Sequence, residues 1–163
     1  LEKNVLRFKK ATPEDARILA RISERAFHSD IHCGAAGLGG PPGYSSDVWQ
    51  IRMMTAGKYY KILFNDQIIG GFIVRVMGYQ YNELTRIFVD PNFQNQGIGT
   101  RTFEFMWTEF PEVKRWTLGT PAWNRRTRHF YKKVGFSEIG KDGHDGILFE
   151  RKLAGYTDIG EVS

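Results

Sequence analysis

The feature that most restricts this chain is a change of period across a turn. Tyr81 to Val89 alternates as a strand, and Asp90-Pro91-Asn92 closes it because Pro91 has no N–H to offer a ladder. A glycine-opened helix then covers Gly97 to Phe110, with Gly99, Phe103, Met106, Trp107 and Phe110 on one apolar stripe. A strand joined to a helix in this way asks for a mixed α/β chain. The joint also has a chemistry of its own. A helix N-terminus leaves about four backbone N–H groups without partners and carries partial positive charge, so it attracts anions. At Gly97 and Gly99 no side chain keeps a phosphate away from those amides. The spacing lacks both the Gly-Lys-Ser/Thr ending of a nucleotide P-loop and the three-glycine pattern of the dinucleotide fingerprint.

The rest of the chain fits around that joint. Val5 to Lys10 is a short strand. Thr12, Pro13 and Asp15 then read as N-cap, first helical position and capping box of a helix running to about Phe27. His28 to Ser45 holds Gly34, Gly37, Gly39, Gly40, Pro41, Pro42 and Gly43, a density no regular element survives, and is expected to be a long mobile loop. Ser46 caps a helix from Asp47 to Thr55, and strands follow at Tyr59 to Phe64, Gln67 to Met77 and Tyr81 to Val89. After the glycine-opened helix come a strand near Arg115 to Gly119, a helix from Asn124 to about Val134, and strands near Phe136 to Gly140 and Gly146 to Leu153. The order is β, α, α, β, β, β, α, β, α, β, β, without internal repeat. A length of 163 residues suits one domain, 1–163, with a core over about 5–153 and a tail at 154–163.

Composition excludes several classes. With 41% hydrophobic residues the chain is not wholly disordered, and the single Cys33 rules out an intrachain disulfide or a multi-cysteine metal site. No apolar run approaches the eighteen or so residues that span a bilayer, so a cytoplasmic protein without a membrane partner is expected. The excess of 23 Lys and Arg over 18 Asp and Glu is modest and does not call for nucleic acid.

A second segment, Asn124-Arg125-Arg126-Thr127-Arg128-His129-Phe130-Tyr131-Lys132-Lys133-Val134-Gly135-Phe136, sets Asn124 and Tyr131 seven residues apart on a helix. At about 100° per residue they return to within about 20° and share one stripe, as a shared ligand requires. Arg125, Arg126, His129, Lys132 and Lys133 project away from the apolar side and read as a solvated face.

Together these residues carry a resemblance. Gln94-x-x-Gly97-x-Gly99 after the strand ending Ile87-Phe88-Val89-Asp90-Pro91 resembles the acetyl-CoA-binding motif of the GCN5-related N-acetyltransferases, or GNAT family. The Asn124 to Phe136 segment and the order of elements are similar to that family's as well. The resemblance implies a mixed α/β fold, with a mostly antiparallel sheet of six to seven strands flanked by about four helices. It implies that the strand before the turn splays from its neighbour, that Phe88 and Val89 pair through their backbone with pantetheine, and that Asn95, Gln96, Gly97, Ile98, Gly99 and Thr100 meet the diphosphate. Asn124 is then a cofactor contact, and Arg128, about 40° from Asn124 on the helical wheel, a candidate for a cofactor phosphate. Tyr131 becomes the acid that meets the departing thiolate, and Glu83, on the strand before the turn, the base that frees the amine. Regular alternation puts Glu83 on one face with Thr85, Ile87 and Val89, while Arg86 and Arg75 are its candidate ion-pair partners.

The implied activity is acetyl transfer from acetyl-CoA to a primary amine by direct attack in a ternary complex, the acceptor being a small molecule or a protein N-terminus. The alternative is a non-catalytic acyl-CoA-binding or regulatory module of the same fold. The family's habit also admits a homodimer. No metal is expected: His28, His32 and Cys33 have ligand chemistry but lie where the helix meets the glycine loop. Tyr44, Trp49 and Met53 are expected to shape the acceptor side.

Overall fold

The computed structural model describes residues 4–157. The elements follow in the expected order: β1 (Leu6–Lys10), α1 (Ala16–His28), α2 (Asp47–Ala56), β2 (Lys58–Phe64), β3 (Gln67–Gly78), β4 (Tyr81–Val89), α3 (Ile98–Glu109), β5 (Arg115–Pro121), α4 (Arg125–Lys133), β6 (Ser137–Lys141) and β7 (Gly146–Lys152). Residues 158–163 of the expected tail lie outside the described residues. Pro13–Asp15 form a 3-10 turn, so α1 begins later than Thr12 suggests. The Thr12 N–H nevertheless donates to the Asp15 carboxylate at 2.8 Å, and Lys61 Nζ holds the same carboxylate at 2.9 Å. Ser46 caps α2, its hydroxyl accepting from the Trp49 N–H at 3.1 Å.

The strands form one sheet in the order β1-β2-β3-β4-β5-β7-β6. Every pairing is antiparallel except β4 with β5, which α3 connects across one face. The sheet therefore matches the mostly antiparallel arrangement that the resemblance implies.

Two apolar clusters, one on each face, fix the helices. On one face Leu19, Ile22 and Ala26 of α1 pack with Tyr59, Ile73 and Phe88. On the other, Ile98, Phe103, Met106 and Phe110 meet Phe72, Leu84, Trp116, Leu118, Tyr131 and Phe149. Phe103 is central to the second cluster, its ring 5.6 to 6.1 Å from those of Trp107, Phe130, Tyr131 and Phe136. This packing sets the depth of Tyr131, and so joins the core to the site described below.

One irregularity in β4 changes the faces that its residues occupy. Ile73 pairs with Arg86 and Val74 with Leu84, which leaves Thr85 as an extra, bulged residue. Leu84 thus joins Ile87 and Val89 on the α3 face, while Glu83, opposite Arg75, falls with Arg86 and Phe88 on the α1 face. The regular alternation expected for Glu83 is overturned, because a bulge reverses parity.

Replacing Phe103 by Ala should lower unfolding stability by about 3–5 kcal/mol, read as a smaller midpoint in urea at an unchanged slope.

Candidate active site

The site begins where two strands part. β4 and β5 pair only at Tyr81 with Arg115, Asn82 with Trp116 and Glu83 with Thr117. Beyond that, β4 stays bonded to β3 as far as Val89, opposite Gly70, and β5 to β7 as far as Pro121, opposite Gly146. Each strand is satisfied on its outer side, and a gap opens between them. Backbone groups facing such a gap need partners, and an extended ligand that pairs like a strand supplies them. The gap belongs to a cleft of about 840 Å³, walled by Leu84 to Val89, by Leu118 to Pro121, by the turn into α3, and by α4. That volume lies within the roughly 300–1,000 Å³ of small-molecule sites.

The turn is shaped as the glycines suggested, for two different reasons. Gly97 sits at φ +77 and caps α3, a left-handed conformation that L side chains disfavour, and a Cβ there would meet nothing within 4 Å. Its side faces open space, leaving the amides accessible. Gly99 is required by packing: a Cβ would lie 2.8 Å from the Phe130 ring, so its absence lets α3 and α4 close together. Gln94 links the turn to both neighbours, its amide nitrogen donating to the Val89 carbonyl at 3.1 Å and its oxygen accepting from Arg126 at 3.0 Å. Asp90 supports the turn from below, accepting from the Asn92 N–H at 3.0 Å and from Arg25 of α1 at 2.7 Å.

Across the cleft, Asn124 and Tyr131 both line it from α4. The Asn124 carboxamide oxygen caps α4 by accepting the Thr127 N–H at 3.1 Å. Thr127 in turn meets the Thr120 hydroxyl at 2.7 Å, pinning α4 to β5. Tyr131 is 7% exposed, and burial together with the charge of Asp30 pushes its phenol above the usual range, so it holds its proton. Among the described residues its hydroxyl has no protein partner and is not sealed from the cleft.

Asp30 is the residue that sequence reasoning missed. It lies in a 3-10 turn, Ser29–Cys33, and lines the cleft together with Asn124. Burial raises its carboxyl above the ordinary value, partly opposed by Arg126 at 3.8 Å. No local pattern marks it, since only the packing of α1 against β4 and the reach of Arg126 from α4 bring it into the cleft.

Of the residues expected at the site, Phe88, Val89, Asn95, Gly97, Ile98, Gly99, Thr100, Asn124 and Tyr131 line the cleft, and Gln96 lies on the turn's outer side. Arg128 does not line it. Its guanidinium pairs with Glu138 at 2.9 Å and donates to the Ala122 carbonyl at 2.8 Å, next to a separate depression. The α4 arginine that reaches the cleft is Arg126, which the wheel placed on the solvated face. Glu83 stands at the apex where the strands part, accepting from the Thr85 hydroxyl at 3.0 Å with Arg75 at 3.8 Å, and it does not itself wall the cleft.

The glycine-rich loop forms the remaining wall and is tied down, not loose. The carbonyls of Pro42, Gly43 and Ser45 accept from Arg86, Gln50 and Arg21, and Tyr44 Oη meets His28 Nε2 at 2.9 Å. Tyr44 and Trp49 therefore fasten the loop, Met53 packs into the α1 core, and none of the three walls the cleft. Among the described residues no group of three His, Cys, Asp or Glu is arranged to hold a metal ion, and no helix is long and apolar enough to cross a membrane.

Comparison with known proteins agrees with this geometry. The model of the acetyltransferase (GNAT) domain matches residues 55–138, and the chain belongs to that family. A relative from Bacillus subtilis (strain 168), the uncharacterized protein YrkN, is 29% identical over 99 residues, 60% of this chain and 54% of its own. The match thus spans about half the length of that curated relative. Among solved structures, the PaiA N-acetyltransferase of Thermoplasma acidophilum in complex with coenzyme A superposes with a TM-score of 0.78 at 16% identity, covering 91% of this chain and 99% of its own. The ribosomal-protein-S18-alanine N-acetyltransferase of Escherichia coli gives 0.72 at 17% identity, over 95% and 98%. At these identities the likeness is one of fold.

The buried Asp30 has a consequence for stability. A carboxyl whose pKa is raised on folding opposes the folded state once it ionises, so its penalty grows as pH rises from the unfolded value near 3.9 through the higher folded value. Asp30→Asn should raise Tm at neutral pH, with the gain vanishing as pH falls into the ordinary carboxylate range.

Proposed function

We propose that the chain is an acetyl-CoA-dependent N-acetyltransferase that acts on a primary amine by direct attack. One observation carries this reading: the gap between β4 and β5 leads from a glycine-opened helix N-terminus to a protonated tyrosine in the same cleft. The coenzyme A in the PaiA structure supports the choice of cosubstrate. In this reading the amides from Asn95 to Thr100 hold the diphosphate, the backbone of Phe88 and Val89 pairs with pantetheine, and Asn124 holds its far side. Arg126, braced by Gln94 and Asp30, takes the place beside the cofactor first given to Arg128. The whole chain serves as one catalytic domain, in the cytoplasm.

Bound acetyl-CoA supplies an activated acyl group, and the protein arranges protons around it. Backbone N–H groups on the parted strand polarise the carbonyl. Tyr131 keeps its proton and donates a hydrogen bond where negative charge gathers on sulfur. Glu83 takes the ammonium proton through a water at the apex, because it stands behind the cleft wall. Asp30 offers a second reading for the base, favoured by its direct place in the cleft. The acceptor is a primary amine of a small molecule or a protein N-terminus, and the S18-alanine acetyltransferase shares the fold.

Thiol release from acetyl-CoA with a panel of amines tests the proposal. Turnover supports it, whereas binding without release by any amine supports the non-catalytic module. With a working acceptor, Tyr131→Phe should lower kcat by about 10- to 100-fold and leave the acetyl-CoA Kd nearly unchanged. Whichever of Glu83→Gln and Asp30→Asn removes the base should lower kcat/KM by about 100-fold or more and abolish the acidic limb of its pH profile, and the other should do neither. Gly97→Val should weaken acetyl-CoA binding at least about 10-fold by calorimetry, because a branched side chain strains the left-handed turn and shields its amides.

A further inference from the structure

The cleft has a cation for which the transfer reaction has no use. Arg86 projects from β4 on the α1 face, beside Phe88, and walls the cleft. Its side chain is half-buried, and the guanidinium stacks on Trp49, 4.3 Å from the ring centroid. It donates to one protein acceptor, the Pro42 carbonyl, at 2.6 Å. Among the described residues no carboxylate lies within ion-pair distance of it. Of the other cations that wall the cleft, Arg126 has Asp30 at 3.8 Å and Lys133 is an exposed side chain at the end of α4, while nearby Arg25 has Asp90 at 2.7 Å and Arg75 has Glu83 at 3.8 Å.

A guanidinium held in a cleft wall by one carbonyl and a ring face, with no carboxylate partner among the described residues, keeps N–H donors and charge free for a ligand. Burial lowers the guanidinium to about 10, so it stays charged at neutral pH. No side-chain nitrogen in the described structure is both sealed and unpartnered, so the remaining donors of Arg86 are not sealed off, and the residue walls the cleft. The cleft-lining stretch of the glycine-rich loop beside it cannot supply an anion. It consists of Ala35, Ala36, Gly37, Gly39, Gly40 and Pro41, which offer room but no charged side chain. A planar fork of donors with space before it matches a carboxylate or a phosphate group.

We propose that Arg86 is a specificity residue that binds an anionic oxyacid group on the acceptor, so that the substrate class is amines also carrying a carboxylate or phosphate-type group. This rests on the acetyl-transfer reading for the acceptor's role, but binding can be measured apart from turnover. The loop's fastening to Arg86 through Pro42 then has a purpose beyond folding: it holds the guanidinium at a fixed place in the wall.

The test is calorimetric titration of the protein, free and loaded with coenzyme A, with the α-amino acids, their carboxamides and 2-aminoethylphosphonate. At least one free acid or the phosphonate should bind more tightly than its uncharged counterpart, propylamine for the phosphonate, by roughly 10-fold or more, the scale of a charged hydrogen-bonded contact. Arg86→Gln should erase that difference while keeping the weaker binding of the uncharged member, and Arg86→Lys should retain part of it. A purely structural Arg86 would weaken charged and uncharged ligands equally. Equal binding of every matched pair, or a preference kept intact by Arg86→Gln, would overturn the proposal. Preferential binding with no thiol release by the same amines would overturn the transfer reading and leave the anion site standing.

Discussion

The parting of β4 from β5 is the constraint on which the rest of this structure depends. A sheet gains stability by satisfying both edges of each inner strand, and here the two central strands forgo that beyond Glu83 and Thr117. The arrangement holds because β4 is paired with β3 along its length apart from the bulge at Thr85, β5 is fully paired with β7, and the helices are anchored by separate cores on the two faces. The gap is therefore a property of the whole sheet. It puts rows of backbone donors and acceptors beside a helix N-terminus, which suits an extended anionic ligand with a peptide-like arm.

The polar groups around the gap are held as a linked frame. Gln94 ties the end of β4 to Arg126 of α4, Arg126 faces Asp30, and Asn124 caps the first turn of α4. Arg25 ties α1 to the turn after β4 through Asp90. Such a network keeps four segments distant in sequence in one geometry, and it does so with buried charge at some cost to stability. Tyr131 stands at the junction of this frame with the aromatic core around Phe103, so its position is set by packing and its proton affinity is raised first by burial and then by the charge of Asp30.

The bulge at Thr85 shows how one extra residue redistributes function along a strand. It sends Leu84 into the α3 core and gathers Glu83, Arg86 and Phe88 on the α1 side, where the glycine-rich loop closes the wall. Without it Glu83 would face α3 beside Ile87 and Val89. The acidic and basic side chains of β4 thus share one face of the sheet, which gives the α1 side its polarity.

The sequence by itself determined the order of elements, the glycine-opened helix after a strand, and the Asn124 to Tyr131 stripe, because these depend on local periodicity and on the backbone freedom of glycine. It also carried enough of the family pattern for the mostly antiparallel sheet to be expected. Only the tertiary structure decided which charged residues reach the cleft. Arg126 replaces Arg128 because Glu138 and the Ala122 carbonyl hold Arg128 elsewhere. Asp30 enters from a turn that bears no mark in the sequence, and Glu83 changes face through a bulge that no propensity foretells. Local rules set where a chain turns and coils, but the partner of a long charged side chain is chosen by what the fold brings within a few ångströms of it.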